Sequence, residues 1–382
     1  MHSIEPGIDA AHLRERIIRS LRAQGFRVQN GAIFPPRDLS KERIRKLHQT
    51  AVAHRIERAR ASLMRLESKL LRRIASGHEV DPLRMSPRLI EVQPGSEEEL
   101  LFRYASLHWS IPVSSGYGRR LRFLVVDEYN GKLIGVIGLG DPVFSLAPRD
   151  QWVGWTPSDR KKRLRNVMDA FVLGAVPPYS FLLCGKLVAM LAASDTVRHA
   201  FKRKYGGVRS VIRREVHDGR LTLITTTSAL GRSSLYNRLR FGDRLLYQSV
   251  GFTKGSGEFH FSNGLYEAIT DFAKRHCEPT AKQEHWGRGF RNRREVIKKC
   301  LRRVGLSGDW LYHGIEREVF VVPLAANCRE FLRGEHSRLQ WYLHSEGQMF
   351  EYFRERWMLP RARRDQRYRT FEAESYRLWR AA

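Results

Sequence analysis

The chain has 382 residues, of which 42% are apolar, and this length predicts two to three domains with enough hydrophobic side chains for a buried core. A wholly disordered protein is thereby excluded. The 68 Lys and Arg residues outnumber the 40 Asp and Glu residues, and the formal net charge of +28 predicts a strong, salt-dependent attraction to polyanions. Nucleic acid, either DNA or RNA, is therefore the expected partner.

Cysteine spacing and hydropathy indicate where the protein acts. The four cysteines are far apart and form no Cys-x-x-Cys pair, so neither a disulfide framework nor a zinc ribbon is indicated. The first ten residues lack the basic and then apolar order of a secretory signal, and prolines and Lys186 interrupt the apolar stretch 175–193. These patterns predict a cytoplasmic protein with no membrane span.

Two regions are predicted within the first 96 residues. Residues 1–36 read as a small docking unit with a short helix, and residues 37–96 as a long amphipathic helix over 40–75 followed by a proline-containing linker. Over residues 38–75 there are 11 basic and 4 acidic residues. This helix could lie along a phosphate backbone or could be a solvated surface helix, and the sequence leaves both interpretations open.

Residues 97–277 alternate β-rich and helical segments, which predicts an α+β central domain with a mixed sheet and flanking helices. The signals in chain order are strands at 122–127 and 133–139 joined by an Asn130-Gly131 turn, a strand at 167–176, a helix at 179–193, a strand at 221–227, a short helix at 233–239, and two strands within 245–261 that turn at 254–257.

Residues 278–382 are predicted to be a mostly helical, basic C-terminal domain. Arginines are interleaved with aromatic residues such as Trp286, Trp341 and Trp357, and residues 279–382 hold 22 basic and 13 acidic residues. Cations beside flat rings suit single-stranded or distorted nucleic acid, although the rings could equally belong to the core. The nucleic-acid-binding candidates near the start of this region are Arg288, Arg291, Arg293 and Arg294.

The densest patch of unusual residues runs from Gly138 to Trp155. Its glycines allow close backbone approach, Arg149 offers a bidentate donor fork, and Asp150 could hold that fork or bind a metal. Arg149 is therefore a candidate contact for nucleic acid. The alternative is a structural turn clamped by an Arg–Asp pair.

The turn from Gly251 to Gly257 is a second candidate contact. Gly255 and Gly257 remove side chains that would hold a ligand away, and Lys254 adds a positive charge, so the tip could present backbone N–H groups to a phosphate. We expect this tip on the same side of the domain as Arg149. The alternative is a tight hairpin in which Lys254 is solvated.

Enzyme hypotheses rest on weaker patterns. Asp150 and its acidic neighbours could hold a divalent metal for nucleic-acid cleavage, although no diagnostic spacing of carboxylates is present. Glu258 and His260 would lie on one side of a strand, where they could act as an acid–base pair or form a surface hydrogen bond. Serine-hydrolase, P-loop and dinucleotide fingerprints are absent from the sequence.

The central domain resembles the GNAT family of N-acetyltransferases in its order of strands and helices, in Val176-Pro177-Pro178-Tyr179 after an apolar strand, and in the segment 234–239 before Val250-Gly251-Phe252. The resemblance implies that the first helix N-terminus binds the coenzyme A pyrophosphate and that Tyr236 serves as a general acid. Residues 180–185 lack the basic residue and paired glycines of the family's loop.

A second resemblance covers nearly the whole chain. The segments 137–142, 147–150, 153–155, 250–257 and 313–318 are similar to those of the DruA family of Druantia anti-phage defence systems. The central domain also resembles one found fused to some transposases. The DruA resemblance implies separate partner subunits, including a helicase-like protein, and it supplies no catalytic residues.

These observations predict a nucleic-acid-binding subunit of an anti-phage system that acts with partner proteins. The alternative is an enzyme, either a metal-dependent nuclease or an acyltransferase that modifies a nucleobase or protein. No cofactor is predicted, and a divalent metal or acyl-coenzyme A enters only under those enzyme alternatives. The sequence leaves open whether copies of the chain form a homo-oligomer.

Overall fold

The computed structural model describes residues 9–114, 118–209, 215–262, 264–280, 285–287 and 289–379, except for the side chains of 289–291. The helices of this part of the chain are α1 (Ala10–Ala23), α2 (Lys41–Leu63), α3 (Glu67–Leu71), α4 (Glu97–Ser106), α5 (Ala147–Val153), α6 (Pro157–Arg163), α7 (Cys184–Leu191), α8 (Asp195–Tyr205), α9 (Leu265–His276), α10 (Gly289–Arg303), α11 (Cys328–Arg333), α12 (Glu346–Phe353) and α13 (Leu359–Arg364). The strands are β1 (Arg27–Gln29), β2 (Ala32–Phe34), β3 (Pro87–Glu91), β4 (Arg120–Asp127), β5 (Lys132–Gly140), β6 (Val167–Ala175), β7 (Leu223–Thr227), β8 (Arg240–Phe241), β9 (Arg244–Leu245), β10 (Gln248–Phe252) and β11 (Glu318–Pro323).

Two compact units are interleaved along the chain. The first unit comprises residues 1–54, 229–231 and 253–317, and the second comprises residues 55–228, 232–252 and 318–382. The predicted division into residues 1–36, 37–96, 97–277 and 278–382 stays a prediction. None of the described helices combines the length and the apolar character needed to cross a bilayer.

The second unit is built on a seven-stranded sheet with the order β10-β11-β7-β6-β5-β4-β3. Neighbouring strands are antiparallel except for β6 and β7, which are parallel. Helices flank this mixed sheet, so the predicted α+β class is confirmed.

The hairpin of β4 and β5 follows from local sequence. Asn130 and Gly131 have φ angles of 48° and 70°, the left-handed conformation that a tight hairpin turn requires and that these two residue types adopt most readily. The predicted strand pair and its turn are confirmed.

Both faces of the sheet are covered by apolar clusters, and successive side chains of β4 point alternately into one cluster and the other. Leu121, Phe123 and Val125 enter the cluster that includes α7 and α8, whereas Leu124 and Val126 enter the cluster that includes α3 and α4. Because β4 is apolar on both faces, it lies in the interior of the unit. Residues that contact a ligand are therefore expected at the edges of the sheet and in the loops of the unit.

The predicted strand pair within 245–261 is wrong. Strand β10 forms there, but it pairs with β11, with Gln248 opposite Val321, whereas β9 ends at Leu245 and pairs with β8. Residues 259–261 instead form a 3₁₀ turn. The partner of β10 is some 70 residues away along the chain, and turn signals in the local sequence carry no information about such a distant pairing.

Three other elements depart from expectation. The C-terminal region supplies β11, the second strand of the sheet, and the predicted linker supplies the edge strand β3, where Pro87 is tolerated as the first residue of a strand. The predicted helix over 40–75 is interrupted by a 3₁₀ turn at Met64–Leu66. After that break, the buried Glu67 carboxylate accepts hydrogen bonds from the Tyr104 hydroxyl and the Leu378 amide, tertiary anchors that periodicity does not encode.

The first unit has its own apolar core. The predicted short N-terminal helix is present as α1, and its Leu13, Ile17 and Leu21, spaced four residues apart, are fully buried. Helix α9 packs against both α1 and α10. This unit also contains the turn that follows β10.

Candidate nucleic-acid interface

Arg149, at the start of α5, is a buried clamp. Its side chain is fully buried, and it donates hydrogen bonds from Nη1 to the Val143 carbonyl (2.9 Å) and from Nη2 to the Phe144 carbonyl (3.1 Å). The Asp150 carboxylate accepts from Nε at 2.8 Å and from Nη2 at 2.6 Å. The guanidinium is thus occupied inside the protein, as the clamped-turn alternative expects.

The carboxylate of Asp150 is also held by hydrogen bonds within the protein. It accepts a hydrogen bond from Arg160 of α6 at 2.8 Å and another from the Leu146 amide at 3.2 Å. Its position in the first turn of α5 also places its negative charge at the positive end of the helix dipole. Asp150 therefore ties α5, α6 and the preceding loop together, and this geometry offers no support for its catalytic candidacy.

A second carboxylate, Asp169 of β6, lies close enough to feel the Arg149 charge. It accepts a hydrogen bond from the Thr225 hydroxyl of β7 at 2.7 Å. Burial raises the pKa of Asp169 to about 6, and the hydrogen bond from Thr225 and the charge of Arg149 oppose that rise. Within the described residues, no group of three or more His, Cys, Asp or Glu side chains is placed to hold a metal ion.

The turn after β10 packs against the segment that precedes β11. Gly255 has a φ of 64°, and a Cβ there would meet the Ile315 amide nitrogen at 2.6 Å, so glycine is required. Its carbonyl accepts from the Gly314 amide at 3.0 Å, and the Gly257 amide donates to the Leu311 carbonyl at 2.9 Å. The two glycines therefore serve close backbone packing.

Lys254 differs from those glycines. Its side chain is exposed and forms no ion pair within the part of the chain that the structure describes. The tight turn is present, and the exposed Lys254 stays a predicted phosphate contact. Lys254 and Arg149 belong to different compact units.

Glu258 and His260 do not lie side by side on a strand. His260 is part of the 3₁₀ turn Phe259–Phe261, and Glu258 directly precedes that turn. His260 is fully buried, its Nε2 lies 2.8 Å from the Trp310 carbonyl, and burial lowers its pKa to about 4. Glu258 pairs with Arg293 at 3.2 Å, and burial raises its pKa. A helical turn replaces the period-two geometry that would have put the two side chains on one face.

The four arginine candidates around the start of α10 have different placements. Arg288 lies outside the described residues, as does the side chain of Arg291. Arg293 lies over the Tyr266 ring, with its Cζ 3.9 Å from the ring centroid. Arg294 is half-buried, and its positive charge helps to lower the pKa of His260.

The groups implied by the acetyltransferase resemblance do not assemble into an acyl-coenzyme A site. Helix α7 begins at Cys184, and Leu235 lies 3.5 Å from the position that a Cβ on Gly185 would take. Tyr236 stacks on Tyr247 with ring centroids 4.6 Å apart, and burial raises its pKa above the usual range. Leu235 lies beside this helix terminus, which lacks the basic residue and paired glycines, so these residues do not fit acyl-coenzyme A.

A basic concavity lies elsewhere in the second unit, with a volume of about 490 Å³. Helix α8, the loop before β7 and the segment after α11 form its walls. Its lining residues are Arg198, Lys202, Asp218, Gly219, Arg220, Ser337, Arg338, Leu339 and Trp341. Four basic side chains and one carboxylate line the cavity, and one of the four, Arg198, pairs with Asp195 at 2.9 Å.

Most of that positive charge is not neutralised locally. Lys202 and Arg338 are exposed and form no ion pair with any carboxylate of the described chain, and Arg220 donates to the Ser337 carbonyl at 2.6 Å. Asp218, the carboxylate of the cavity, accepts from Asn166 at 2.7 Å. The lining of the cavity therefore keeps a net positive charge.

Aromatic rings accompany the cations. Arg198 lies over Trp341 at 4.5 Å from the ring centroid, and Arg220 and Arg163 lie over Phe331 at 5.5 and 4.6 Å. These contacts connect the cavity to α6, where Arg160 lies over Phe144 at 4.7 Å. We call this set the basic band; its cations are Arg160, Arg163, Arg198, Lys202, Arg220 and Arg338.

Sequence reasoning missed the basic band because its members come from α6, α8, the loop before β7 and the segment after α11. Only Trp341 was singled out, as one of the C-terminal aromatics. The available signal was the pair Arg198 and Lys202, which are four residues apart and therefore share one face of α8. Nothing in the sequence brings Arg220 or Arg338 to that face.

Comparison with known proteins identifies the family. Residues 38–334 match the family described as Druantia protein DruA. A relative from Escherichia coli (strain UMEA 4076-1), named Druantia protein DruA, is 41% identical over 365 residues, covering 95% of this chain and 90% of its own length. No solved structure matches. The chain therefore belongs to the DruA family, as its sequence motifs predict.

Proposed function

We propose that this DruA-family protein binds nucleic acid through the basic band. The observation that carries the proposal is the electropositive cavity, in which Lys202 and Arg338 lack carboxylate partners beside a tryptophan. Phosphates need cations and unstacked bases need flat apolar faces, and this surface offers both side by side. The net charge of +28 adds a long-range attraction for any polyanion.

The rings favour a ligand that exposes its bases. A regular duplex hides base faces within the stack, whereas a single strand or a distorted duplex presents them to aromatic side chains. Trp341 is half-buried and faces the cavity that Lys202 and Arg338 line. We therefore expect tighter binding to single-stranded than to regular double-stranded nucleic acid at equal salt.

Titration of a fluorescent oligonucleotide, single-stranded and duplex, across about 50 to 200 mM salt tests the proposal by anisotropy. Replacing Lys202 and Arg338 together by alanine removes two phosphate contacts and should lower the slope of log affinity against log salt by about 1.5. The matched control replaces Arg88 and Arg354, which pair with Glu128 and Glu351.

That control removes the same net charge from ion-paired positions, so its slope should stay at the wild-type value. Wild-type protein that binds no oligonucleotide at low salt contradicts the proposal. Equal slopes for the two double variants also contradict it, since binding would then depend on net charge alone.

Membership in the DruA family supports a role as a component of a Druantia anti-phage defence system. Within that system we propose a cytoplasmic subunit that acts with other defence proteins, a helicase-like one among them. Purification of the tagged protein from cells that express the whole system tests this part. Recovery of the protein alone, with and without nuclease treatment, would contradict it.

We also propose that the central sheet has an acetyltransferase-like arrangement. In this proposal the fold carries out no coenzyme A chemistry. Its support is the parallel pair β6 and β7, joined through α7 and α8. The nuclease alternative stays a prediction. Incubation with supercoiled plasmid and magnesium or manganese tests it, with Asp150→Ala as the variant that would abolish nicking.

A further inference from the structure

The loop between β5 and α5 presents two adjacent apolar side chains to solvent. Val143 and Phe144 are 48% and 49% exposed. Exposing an aromatic ring forfeits the free energy that its burial would provide, and here the neighbouring Val143 is exposed as well. The apolar tip therefore calls for a function.

The same loop is held rigidly. Arg149 binds the carbonyl oxygens of both tip residues, and Asp150 binds the Leu146 amide just beyond them. Burying an arginine and its carboxylate partner costs desolvation free energy, which must be offset by the good geometry of their hydrogen bonds. What this geometry provides is a fixed position for the Val143 and Phe144 side chains.

The surroundings of the tip are strongly basic. Arg160 of α6 lies over the Phe144 ring at 4.7 Å, and Lys161 and Lys162 follow it on exposed positions. The acidic groups nearby are engaged: Asp150 with two arginines, and Asp159 with the Thr156 hydroxyl at 2.6 Å. An apolar tip with one cation over its ring and two exposed lysines on the same helix is complementary to a polyanion with apolar layers inside it.

We propose that Phe144 is a wedge that inserts between neighbouring base pairs of duplex nucleic acid, while the cations of α6 hold the flanking phosphates. Rigid apolar side chains that unstack a base step act in this way, and the phosphate contacts that they make possible offset the unstacking. This inference rests on the proposed function and makes it more specific. A duplex that can be bent or unwound should be preferred, because insertion of Phe144 deforms it.

Under this proposal the hydrogen bonds of Arg149 fix the loop in advance for insertion. A flexible tip would lose conformational entropy on insertion, whereas a tip already fixed by Arg149 loses little. The segments that carry the DruA resemblance, 137–142 and 147–150, are the two sides of this loop. Their chemistry would then serve to aim Phe144, and Arg149 itself would never touch the ligand.

Relaxation of closed circular plasmid by a topoisomerase in the presence of the protein tests the wedge. Insertion unwinds the duplex, so the plasmid recovered after protein removal should carry negative supercoils in proportion to the protein bound. Phe144→Ala should abolish this shift and weaken duplex binding about tenfold in anisotropy. Phe144→Leu keeps an apolar wedge and should retain the shift.

Leu83→Ala is the matched control, since Leu83 is apolar and 70% exposed in the same unit, and it should behave as wild type. Thermal melting confirms that each variant folds. Wild-type protein that binds duplex without shifting the topoisomers overturns the wedge and leaves the proposed function standing, as does equal behaviour of Phe144→Ala and wild type. Protein that binds no nucleic acid overturns both.

Discussion

Arginine serves two opposite purposes in the second unit, at the clamp and in the basic band. Arg149 is fully buried, and its carboxylate partner and two carbonyl oxygens take up its donors. Arg338 is exposed and has no carboxylate partner among the described residues. The first arginine organises the protein and the second is available to a ligand, although the sequence motif around Arg149 is the more conspicuous.

The comparison teaches that motif density and ligand availability are different properties. A buried ion pair needs defined neighbours, so it leaves a compact local signature such as Pro148-Arg149-Asp150. An exposed phosphate-binding cation needs only a position on the right surface, and the four cations of the cavity come from three separate segments of the chain. Substitutions at the two regions should therefore separate stability from affinity.

The largest effect is expected at the clamp. Arg149→Met keeps most of the side-chain volume but removes the hydrogen bonds to Val143, Phe144 and Asp150, and should lower the free energy of unfolding by about 3 to 5 kcal/mol. Urea unfolding followed by circular dichroism measures it. A variant of unchanged stability whose salt slope falls would show that Arg149 belongs with the basic band.

Next in size is the acid beside the clamp. The pKa of Asp169 is raised from 3.8 to about 6 in the folded state. The carboxyl is therefore mostly protonated in both states below about pH 3.5 and mostly ionised in both above about pH 6, where the folded state alone bears the desolvation cost. Asp169→Asn, which keeps the acceptor for Thr225, should be more stable than wild type by about 2 to 3 kcal/mol at pH 7 and no more stable at pH 3.5.

Unfolding of both proteins at each pH measures this difference and cancels the other titrating groups. A stability difference that stays constant from pH 3.5 to 7 would show that Asp169 is not desolvated. In that event the clamp is more open to water than its burial indicates.

Trp341→Leu sharpens the description of the basic band. Leucine keeps the apolar contacts of this half-buried position but removes the flat ring, so affinity for single-stranded oligonucleotide should fall by about 1 to 2 kcal/mol. The salt slope should be unchanged because no charge is lost. A reduced slope with full affinity at low salt would show that Trp341 acts by positioning Arg198.

The smallest effect is expected for one cation of the band. Arg163→Ala removes a single positive charge over Phe331, and the salt slope should fall by about 0.7 with stability altered by less than about 0.5 kcal/mol. Anisotropy across salt, together with thermal melting, measures both. Destabilisation comparable with that of Arg149→Met would remove the distinction between the two regions.

The sequence predicts what depends on neighbours along the chain. The β4–β5 hairpin follows from Asn130-Gly131, and the α1 face follows from Leu13, Ile17 and Leu21, because turn and helix geometry are set within a few residues. The α+β class and the family follow from such local signals added together.

Pairings across long distances escape prediction. Nothing near Gln248 indicates that it pairs with Val321, and the local pattern therefore predicts a strand at Glu258 and His260 that does not form. The same limit hides the cavity, since Lys202 and Arg338 meet only after the sheet is assembled. Burial of Arg149 could be posed from sequence as one of two alternatives, and only tertiary structure decides between them.

The position of β11 in the sheet has a consequence for synthesis on the ribosome. Strand β7 leaves the ribosome well before β11, and its hydrogen-bonding edge has no partner strand on that side until residues 318–323 arrive. An unpaired apolar edge invites pairing with other chains. Chains truncated before residue 318 should therefore aggregate, and full-length chains should depend on chaperones while the edge of β7 is open.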